Sequence, residues 1–210
     1  MKIVAISQRI DDYPDRNECR DALDQKLCRF IKECGYLPLP VPNGLITKRG
    51  ETNEYCSEEL VAWLMAFSPH AIMLSGGNDI GSCPIRDNTE KIMLNFAEQR
   101  ELPVLGICRG MQMLATLAGA KLKRVSGHIR TRHTLQSGTI TGEVNSFHNM
   151  SLDACPEGYH VMAKSEDGEI EAICHDNLAR EGWMWHPERE TTFDERDITR
   201  AKNLFESQVY

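Results

Sequence analysis

"PVLGICRGMQMLATLAGA" (residues 103–120) decides the fold. Its first five residues are apolar or small, the run expected of a short buried strand. Glycines at 106 and 110 bracket Cys108, and a helix-forming stretch follows at once. The segment therefore predicts strand, sharp turn and helix in immediate succession. The same alternation extends back to the N-terminus. "IVAIS" (3–7) reads as a buried strand, and "QRIDDYPDRNEC" (8–19) as the loop after it. "RDALDQKLCRFIKECG" (20–35) has apolar residues at 23, 27, 30 and 31, a helical spacing stopped by Gly35. "YLPLPVPNG" (36–44) is extended, because its prolines exclude helix. "SEELVAWLMAF" (57–67) is a helix, "HAIMLSGG" (70–77) a strand ending in glycines, and "RDNTEKIMLNFAEQREL" (86–102) a helix. Strand and helix in alternation predict an α/β fold with a doubly wound, mostly parallel central sheet flanked by helices.

The C-terminal half changes character. "LKRVSGHIRTRHTLQ" (122–136), "GEVNSFHNMSL" (142–152), "GYHVMAKSEDGEIEAICHD" (158–176) and "EGWMWHPER" (181–189) read as shorter strands. "EDGE" (166–169) marks a hairpin within them. This half predicts a smaller antiparallel β part, closed by a helix over "TFDERDITRAKNLFESQ" (192–208). With no repeat and no linker, residues 1–210 read as a single domain.

Composition bounds the function. Hydrophobic residues make up 41% of the chain, enough for a sizeable core, and 24 Lys and Arg against 31 Asp and Glu leave a net charge of −7. An acidic chain argues against nucleic acid as partner. No stretch approaches the length of a membrane-spanning helix, so no membrane partner is expected. "MKIVAISQRIDD" turns polar after six residues, too soon for a secretory leader. Eight cysteines include no CxxC pair, which argues against a zinc ribbon, and the chain is long for a disulfide framework. Reduced thiols in a cytoplasm are expected, with neither a cofactor nor a metal. Seven of the cysteines read as small hydrophobes or surface thiols. Cys108 is the exception.

Glycines two residues either side of Cys108 allow a tight strand–turn–helix, the arrangement of a nucleophile elbow with sulfur in place of oxygen. The thiol would sit at the N-terminus of the helix from Arg109, where the helix dipole favours the reactive thiolate. A buried cysteine on a glycine-containing strand is the alternative. A cysteine nucleophile needs a base. In "WMWHPER" (183–189), His186 and Glu188 stand two apart across Pro187, which forces an extended path and lets both side chains point one way. Glu188 would then orient the imidazole. Alone, His-Pro-Glu also fits a surface turn. With an elbow cysteine in the same chain it reads as part of a triad.

Gly-Ile-Cys-Arg-Gly-Met-Gln (106–112) with Trp-His-Pro-Glu (185–188) resembles the class I glutamine amidotransferases, and in particular their free-standing γ-glutamyl hydrolase branch. "SGGNDI" (75–80) resembles the family's oxyanion loop, "RDNTE" (86–90) its Arg-Asp-x-x-Glu helix start, and "VNSFHN" (144–149) its substrate-binding loop, all in the family's order. The resemblance implies roles. Cys108 would attack the γ-carbonyl of a γ-glutamyl group, with the backbone N–H groups of Gly77, beside Gly76, and of Arg109 as oxyanion hole. His186 would exchange protons with Cys108 and the leaving amine. Gln112, one helical turn past the nucleophile, would hold the amino-acid end. The backbone around Asn145, Ser146 and Phe147, next to His148, would hold the α-carboxylate. Water would then cleave the glutamyl thioester. Two departures lie on the leaving-group side. Gly-Ser-Cys-Pro (81–84) follows the oxyanion loop, and Asn149 stands where many relatives have a second histidine. They imply a specialised pocket.

The chain carries no synthetase domain, so a simple hydrolase without an obligate synthetase partner is favoured over a glutaminase feeding ammonia to one. "KLKRVSGHIRTRH" (121–133) has five Lys or Arg, two His and no acid. It reads either as a solvated face or as a basic rim suited to a phosphate-bearing leaving group. Arg130 and Arg132 are its candidate substrate contacts, and Arg9, at the end of the first strand, would lie on the ligand-binding sheet edge. "SQR" (7–9) followed by "RDALD" (20–24) resembles small members of the branch associated with bacterial surface-polysaccharide synthesis. That likeness implies γ-glutamyl-CDP-amidate as substrate and cytidine diphosphoramidate as product, for capsule modification. A γ-glutamyl-γ-aminobutyrate hydrolase and a non-catalytic regulatory module remain alternatives.

Overall fold

A computed structural model describes residues 2–50, 54–136 and 138–207. In chain order its elements are β1 (Ile3–Ser7), β2 (Arg9–Tyr13), β3 (Glu18–Ala22), α1 (Gln25–Glu33), β4 (Leu37–Val41), β5 (Thr47–Lys48), β6 (Tyr55–Cys56), α2 (Glu58–Phe67), β7 (Ala71–Leu74), α3 (Pro84–Gln99), β8 (Val104–Ile107) and α4 (Arg109–Leu117). Then come β9 (Leu122–Arg124), β10 (Ile129–Leu135), β11 (Gly142–Phe147), β12 (Met150–Leu152), β13 (Tyr159–Lys164), β14 (Ile170–His175), β15 (Arg180–Trp183) and α5 (Glu195–Glu206).

The main sheet has seven strands in the order β13-β14-β15-β8-β7-β1-β4. The five from β15 to β4 run parallel, while β14 pairs antiparallel with both β13 and β15. Side chains alternate between the two faces. Val4 and Ile6 join Phe30, Ile31, Leu204 and Phe205, from α1 and α5, in one core cluster. Ala5 faces the other way, with Leu60, Leu64 and Met93 of α2 and α3. This is the doubly wound α/β arrangement the alternation predicts. The antiparallel part is the β13–β14 hairpin, the β10–β11 hairpin and the small β9–β12 pair.

Two segments differ from expectation. Residues 8–19 are not a loop: β2 and β3 form a hairpin around the turn Pro14–Arg16. Its strands, "RIDDY" and "ECRDA", bury almost nothing, so they carry no alternating apolar signal. Asn78 ties the hairpin down, accepting from the Ile10 N–H at 2.9 Å and donating to the Ile10 carbonyl at 2.8 Å. The helix expected over 20–35 consequently starts only at Gln25, where the Asp24 side chain accepts from the Lys26 N–H. All eight cysteines are free, and no helix among the described residues is long and apolar enough to cross a membrane.

Candidate active site

β8 and β15 lie side by side in parallel register, with Gly106 opposite Gly182. Both glycines lie under the first turn of α4. A Cβ on Gly106 would stand 2.6 Å from the Gly110 carbonyl, and one on Gly182 would stand 2.7 Å from Met111 Cγ. Removing both side chains lets α4 come down onto the sheet within one residue of the strand end. The residue left at the apex is Cys108, at φ 51° and ψ −105°. This left-handed backbone is uncommon for a residue with a Cβ and is the strained turn of a nucleophile elbow. The Cys108 N–H donates to the Trp183 carbonyl at 2.7 Å, fixing the apex to β15. Arg109 opens α4, so its N–H is among those without an intrahelical acceptor.

The same neighbouring strand delivers the imidazole. Trp183, Met184 and Trp185 are fully buried, the two indoles stack 5.3 Å apart, and Trp185 Nε1 donates to Asp197 of α5 at 3.0 Å. His186 emerges from this anchor. Its Nδ1 lies 2.7 Å from Glu188 Oε1, and the Cys108 side chain acts on its titration. Burial pulls the imidazole down, but the Glu188 charge and hydrogen bond and the Cys108 side chain outweigh it and lift the pKa to about 9. Glu188 stands on the short 3-10 turn Pro187–Arg189, a turn rather than a continued strand, and is itself buried.

Gly76 and Gly77 close over the pair. A Cβ on Gly76 would stand 2.7 Å from His186 Cε1, and one on Gly77, at φ 121°, 2.7 Å from both Arg9 Cβ and Arg86 Nη1. Their loop is held by a buried charged cluster. Arg86 donates to the carbonyls of Ser75 and Gly76 at 2.8 and 2.9 Å and to Glu90 at 3.1 Å. Arg109 is ion-paired with both Glu90 and Asp87. Ser7 joins through Glu90 at 2.8 Å, and Asp87 accepts from the Gly81 N–H at 2.9 Å. "RDNTE" thus ties the glycine loop to the residue after Cys108. Burial lowers the Arg86 pKa to about 10 despite the charge of Glu90.

The other sequence-derived candidates divide into two groups. Arg9, Gly76, Gly77, His186 and Glu188 line one cleft, together with Arg189. Gln112 is buried one turn beyond Cys108, and its Nε2 donates to the Met150 carbonyl at 3.1 Å. Phe147 stands edge-on to His186 with ring centres 5.8 Å apart, under the Arg189 guanidinium at 4.6 Å. Ser146 is buried and donates to the His128 carbonyl. Asn145 spends its side chain on His186, accepting from its N–H at 3.0 Å and donating to its carbonyl at 2.8 Å. Three candidates lie elsewhere. His148 faces inward toward His128 and Glu171. Arg132 is paired with Glu143 and Glu190 and lines a different cavity, beside Trp185 and Asp197. Arg130 is exposed on β10 and does not line the cleft at His186. Neither arginine of β10 lines this cleft: Arg132 turns toward Glu143 and Glu190, and Arg130 is exposed. Arg189, which directly follows His-Pro-Glu, and Asp24 also line this cleft and were not among the sequence candidates.

Known proteins carry the same architecture. A putative GMP synthase component from Thermoplasma acidophilum superimposes with a TM-score of 0.68 at 19% identity, covering 98% of this chain and 94% of that one. A glutamine amidotransferase from Thermotoga maritima gives 0.61 at 17% identity, covering 97% of this chain and 84% of that one. In sequence, the chain is 32% identical over 207 residues to a γ-glutamyl-CDP-amidate hydrolase of Campylobacter jejuni, covering 94% of this chain and 95% of the relative. It is 29% identical over 130 residues to one of the subunits of a glutamine-hydrolysing GMP synthase of Methanothrix thermoacetophila, covering 58% and 71% of the two. Residues 2–188 match Peptidase C26 as a family, a span that holds the elbow, the glycine loop and the His-Pro-Glu turn alike. The chain belongs to the Peptidase C26 family, that of the class I glutamine amidotransferases.

Proposed function

We propose that the protein is a cysteine-dependent hydrolase that cleaves a γ-glutamyl amide and releases glutamate. The observation that carries this reading is the strained Cys108 apex together with the buried His186–Glu188 pair, whose imidazole feels the Cys108 side chain. Cys108 Sγ, its proton passed to His186, attacks the γ-carbonyl carbon, and the oxyanion is received by the N–H groups of Gly77 and Arg109. With its pKa near 9, His186 holds a proton at neutral pH, oriented by Glu188. It gives that proton to the leaving nitrogen as the C–N bond breaks, leaving the glutamyl thioester. Neutral His186 then takes a proton from water, whose oxygen attacks the thioester; glutamate leaves, and the thiol is restored.

The leaving group we infer is cytidine diphosphoramidate, so the substrate is γ-glutamyl-CDP-amidate, in the service of capsular polysaccharide modification in the cytoplasm. Similarity over nearly the whole of both chains to a γ-glutamyl-CDP-amidate hydrolase supports it, as do two arginines, Arg9 and Arg189, on the cleft wall. A second reading, a glutaminase passing ammonia to a synthetase partner, draws on the similarity to a component of a glutamine-hydrolysing GMP synthase. Glutamate release from γ-glutamyl-CDP-amidate, γ-glutamyl-γ-aminobutyrate and glutamine decides between them. The hydrolase reading expects kcat/KM at least about tenfold higher on the nucleotide, one phosphate contact's worth. Preference for glutamine would sink the substrate assignment. Cys108→Ala should remove all release while the far-ultraviolet circular dichroism stays unchanged, and activity surviving in that variant would sink the mechanism.

A further inference from the structure

Three imidazoles and a carboxylate converge inside the protein, apart from the cleft. His128 precedes β10, His133 lies in β10, His148 follows β11 and Glu171 lies in β14. All four are buried, and one ligand-capable atom from each lies within 4.8 Å of the other three.

Outer hydrogen bonds fix two of the imidazole tautomers. His128 Nε2 is 2.9 Å from Asp167 Oδ2, and His148 Nδ1 is 3.1 Å from the Met150 carbonyl. A carboxylate and a carbonyl only accept, so those nitrogens carry the protons. The inward nitrogens, His128 Nδ1 and His148 Nε2, therefore present lone pairs. They lie 3.2 Å apart, and Glu171 Oε1 stands 3.5 Å from the first and 3.3 Å from the second. Three acceptors form a triangle with no donor among them. Among the described residues, neither oxygen of Glu171 has a hydrogen-bond partner, and neither has Nε2 of His133. Buried acceptors left this way are costly.

A cation inside the triangle removes the conflict. A proton would bridge one pair and leave the second Glu171 oxygen and His133 as they are. A metal ion engages all four residues together. Tetrahedral zinc with bonds of about 2.0–2.1 Å has ligand atoms roughly 3.3 Å apart, which is the size of the triangle seen. Imidazole nitrogens with one carboxylate are a donor set suited to zinc. Asp167 and the Met150 carbonyl are the outer partners that metal-bound histidines regularly have. We infer that His128, His133, His148 and Glu171 bind one zinc ion that fastens the β10–β11 hairpin to β14. Four protein ligands leave no open position, so the ion's role is structural. The site does not depend on which γ-glutamyl compound is hydrolysed.

Tag-free full-length protein, expressed with supplemental zinc and analysed by elemental mass spectrometry, should carry about one zinc per chain. After chelation, cobalt(II) should restore the site with the visible absorption of a tetrahedral nitrogen–oxygen complex. Chelation should lower the thermal midpoint, and added zinc should restore it. The double variant Glu171→Gln, His133→Gln should lose the metal. Asp167→Asn should keep it with affinity weakened about ten- to a hundredfold. Wild-type protein with less than a tenth of an equivalent, and no uptake from stoichiometric zinc or cobalt, would overturn the site without recourse to any variant. Full retention of zinc by the double variant would overturn it as well.

Discussion

Asn145 grips the peptide groups on both sides of the His186 α-carbon with the two ends of one amide, at 3.0 and 2.8 Å. The same Nδ2 donates to Glu190 at 2.8 Å, and Glu190 in turn accepts from Arg132 at 3.0 Å. β11 thus sets the backbone from which the imidazole projects, a positioning role beyond the main-chain substrate contacts proposed for it. Asn145→Ala should therefore lower kcat more than it raises KM. Displacing a catalytic group by about 1 Å can cost about a hundredfold, so a ten- to hundredfold fall in kcat is expected in a protein that still folds. An unchanged kcat with a raised KM would reassign Asn145 to substrate binding alone.

His186 also makes stability depend on pH. Its folded value of about 9 lies above the unfolded value of about 6.5. The folded state therefore holds the proton more tightly. The stabilisation is fully present below about pH 6.5 and is lost as pH rises toward 9. The difference corresponds to about 3 kcal/mol at most. Urea unfolding of wild type and His186→Asn from pH 6 to 9.5 should show wild type losing stability more steeply. Parallel curves would mean the imidazole is not held charged in the folded state.

Glu90 accepts from Arg86, Arg109 and Ser7, all out of reach of water. Glu90→Gln would leave two buried guanidinium groups with Asp87 as the one carboxylate at hand. Breaking a buried ion pair typically costs about 3–5 kcal/mol. Chemical denaturation should show a loss of that size. The Gly76–Gly77 loop, which hangs on Arg86, should loosen with it, so kcat should fall too. A stability loss under about 1 kcal/mol, the worth of a surface pair, would show the cluster to be solvated.

Gly110 lies against the end of β7, where a Cβ would fall on the Leu74 carbonyl oxygen. Backbone cannot yield as a side-chain tip does. Gly110→Ala should cost at least the upper end of the roughly 1–3 kcal/mol typical of overpacking, seen as a lowered thermal midpoint and little soluble protein. A near-wild-type midpoint would mean that α4 can lift off the sheet.

The fold was legible wherever burial imposes a period. β1, β7 and β8 are apolar runs within a parallel sheet covered on both faces, and each is where the sequence puts it. The β2–β3 hairpin was not, because its hold on the protein is the amide of Asn78, a contact 68 residues away in sequence. In the site, Cys108 and His186–Glu188 could be read because the elbow and the His-Pro-Glu turn are local. The side-chain role of Asn145 could not, since it depends on β11 meeting the end of β15. The histidine cluster draws its members from positions 128, 133, 148 and 171, a spacing that matches no short motif. Its one local trace is Glu171, an acid inside the otherwise apolar run "IEAI".

The basic segment offers the sharpest contrast between the two arginine sets. Arg132 is about half exposed and already paired with Glu143 and Glu190. Exposed pairs of this kind are worth about 0–1 kcal/mol. Its one route to the chemistry runs through Glu190 and Asn145 to the backbone of His186. Arg132→Ala should therefore lower kcat/KM by less than about fivefold, and by the same factor on γ-glutamyl-CDP-amidate and on glutamine. Arg9 is different. It lines the cleft beside Gly76, Gly77 and His186, and its partner Asp11 is a neighbour on an exposed hairpin. If Arg9 grips the diphosphate, Arg9→Ala removes a charge-assisted contact worth about 1.5–3 kcal/mol, or roughly ten- to a hundredfold in kcat/KM. Glutamine has no phosphate to hold, so its turnover should hardly change. Paired kinetics of both variants on both substrates make the comparison. A selective loss in Arg132→Ala would return the phosphate site to β10. Equal losses on both substrates in Arg9→Ala would make Arg9 a support for the glycine loop and remove it from substrate recognition.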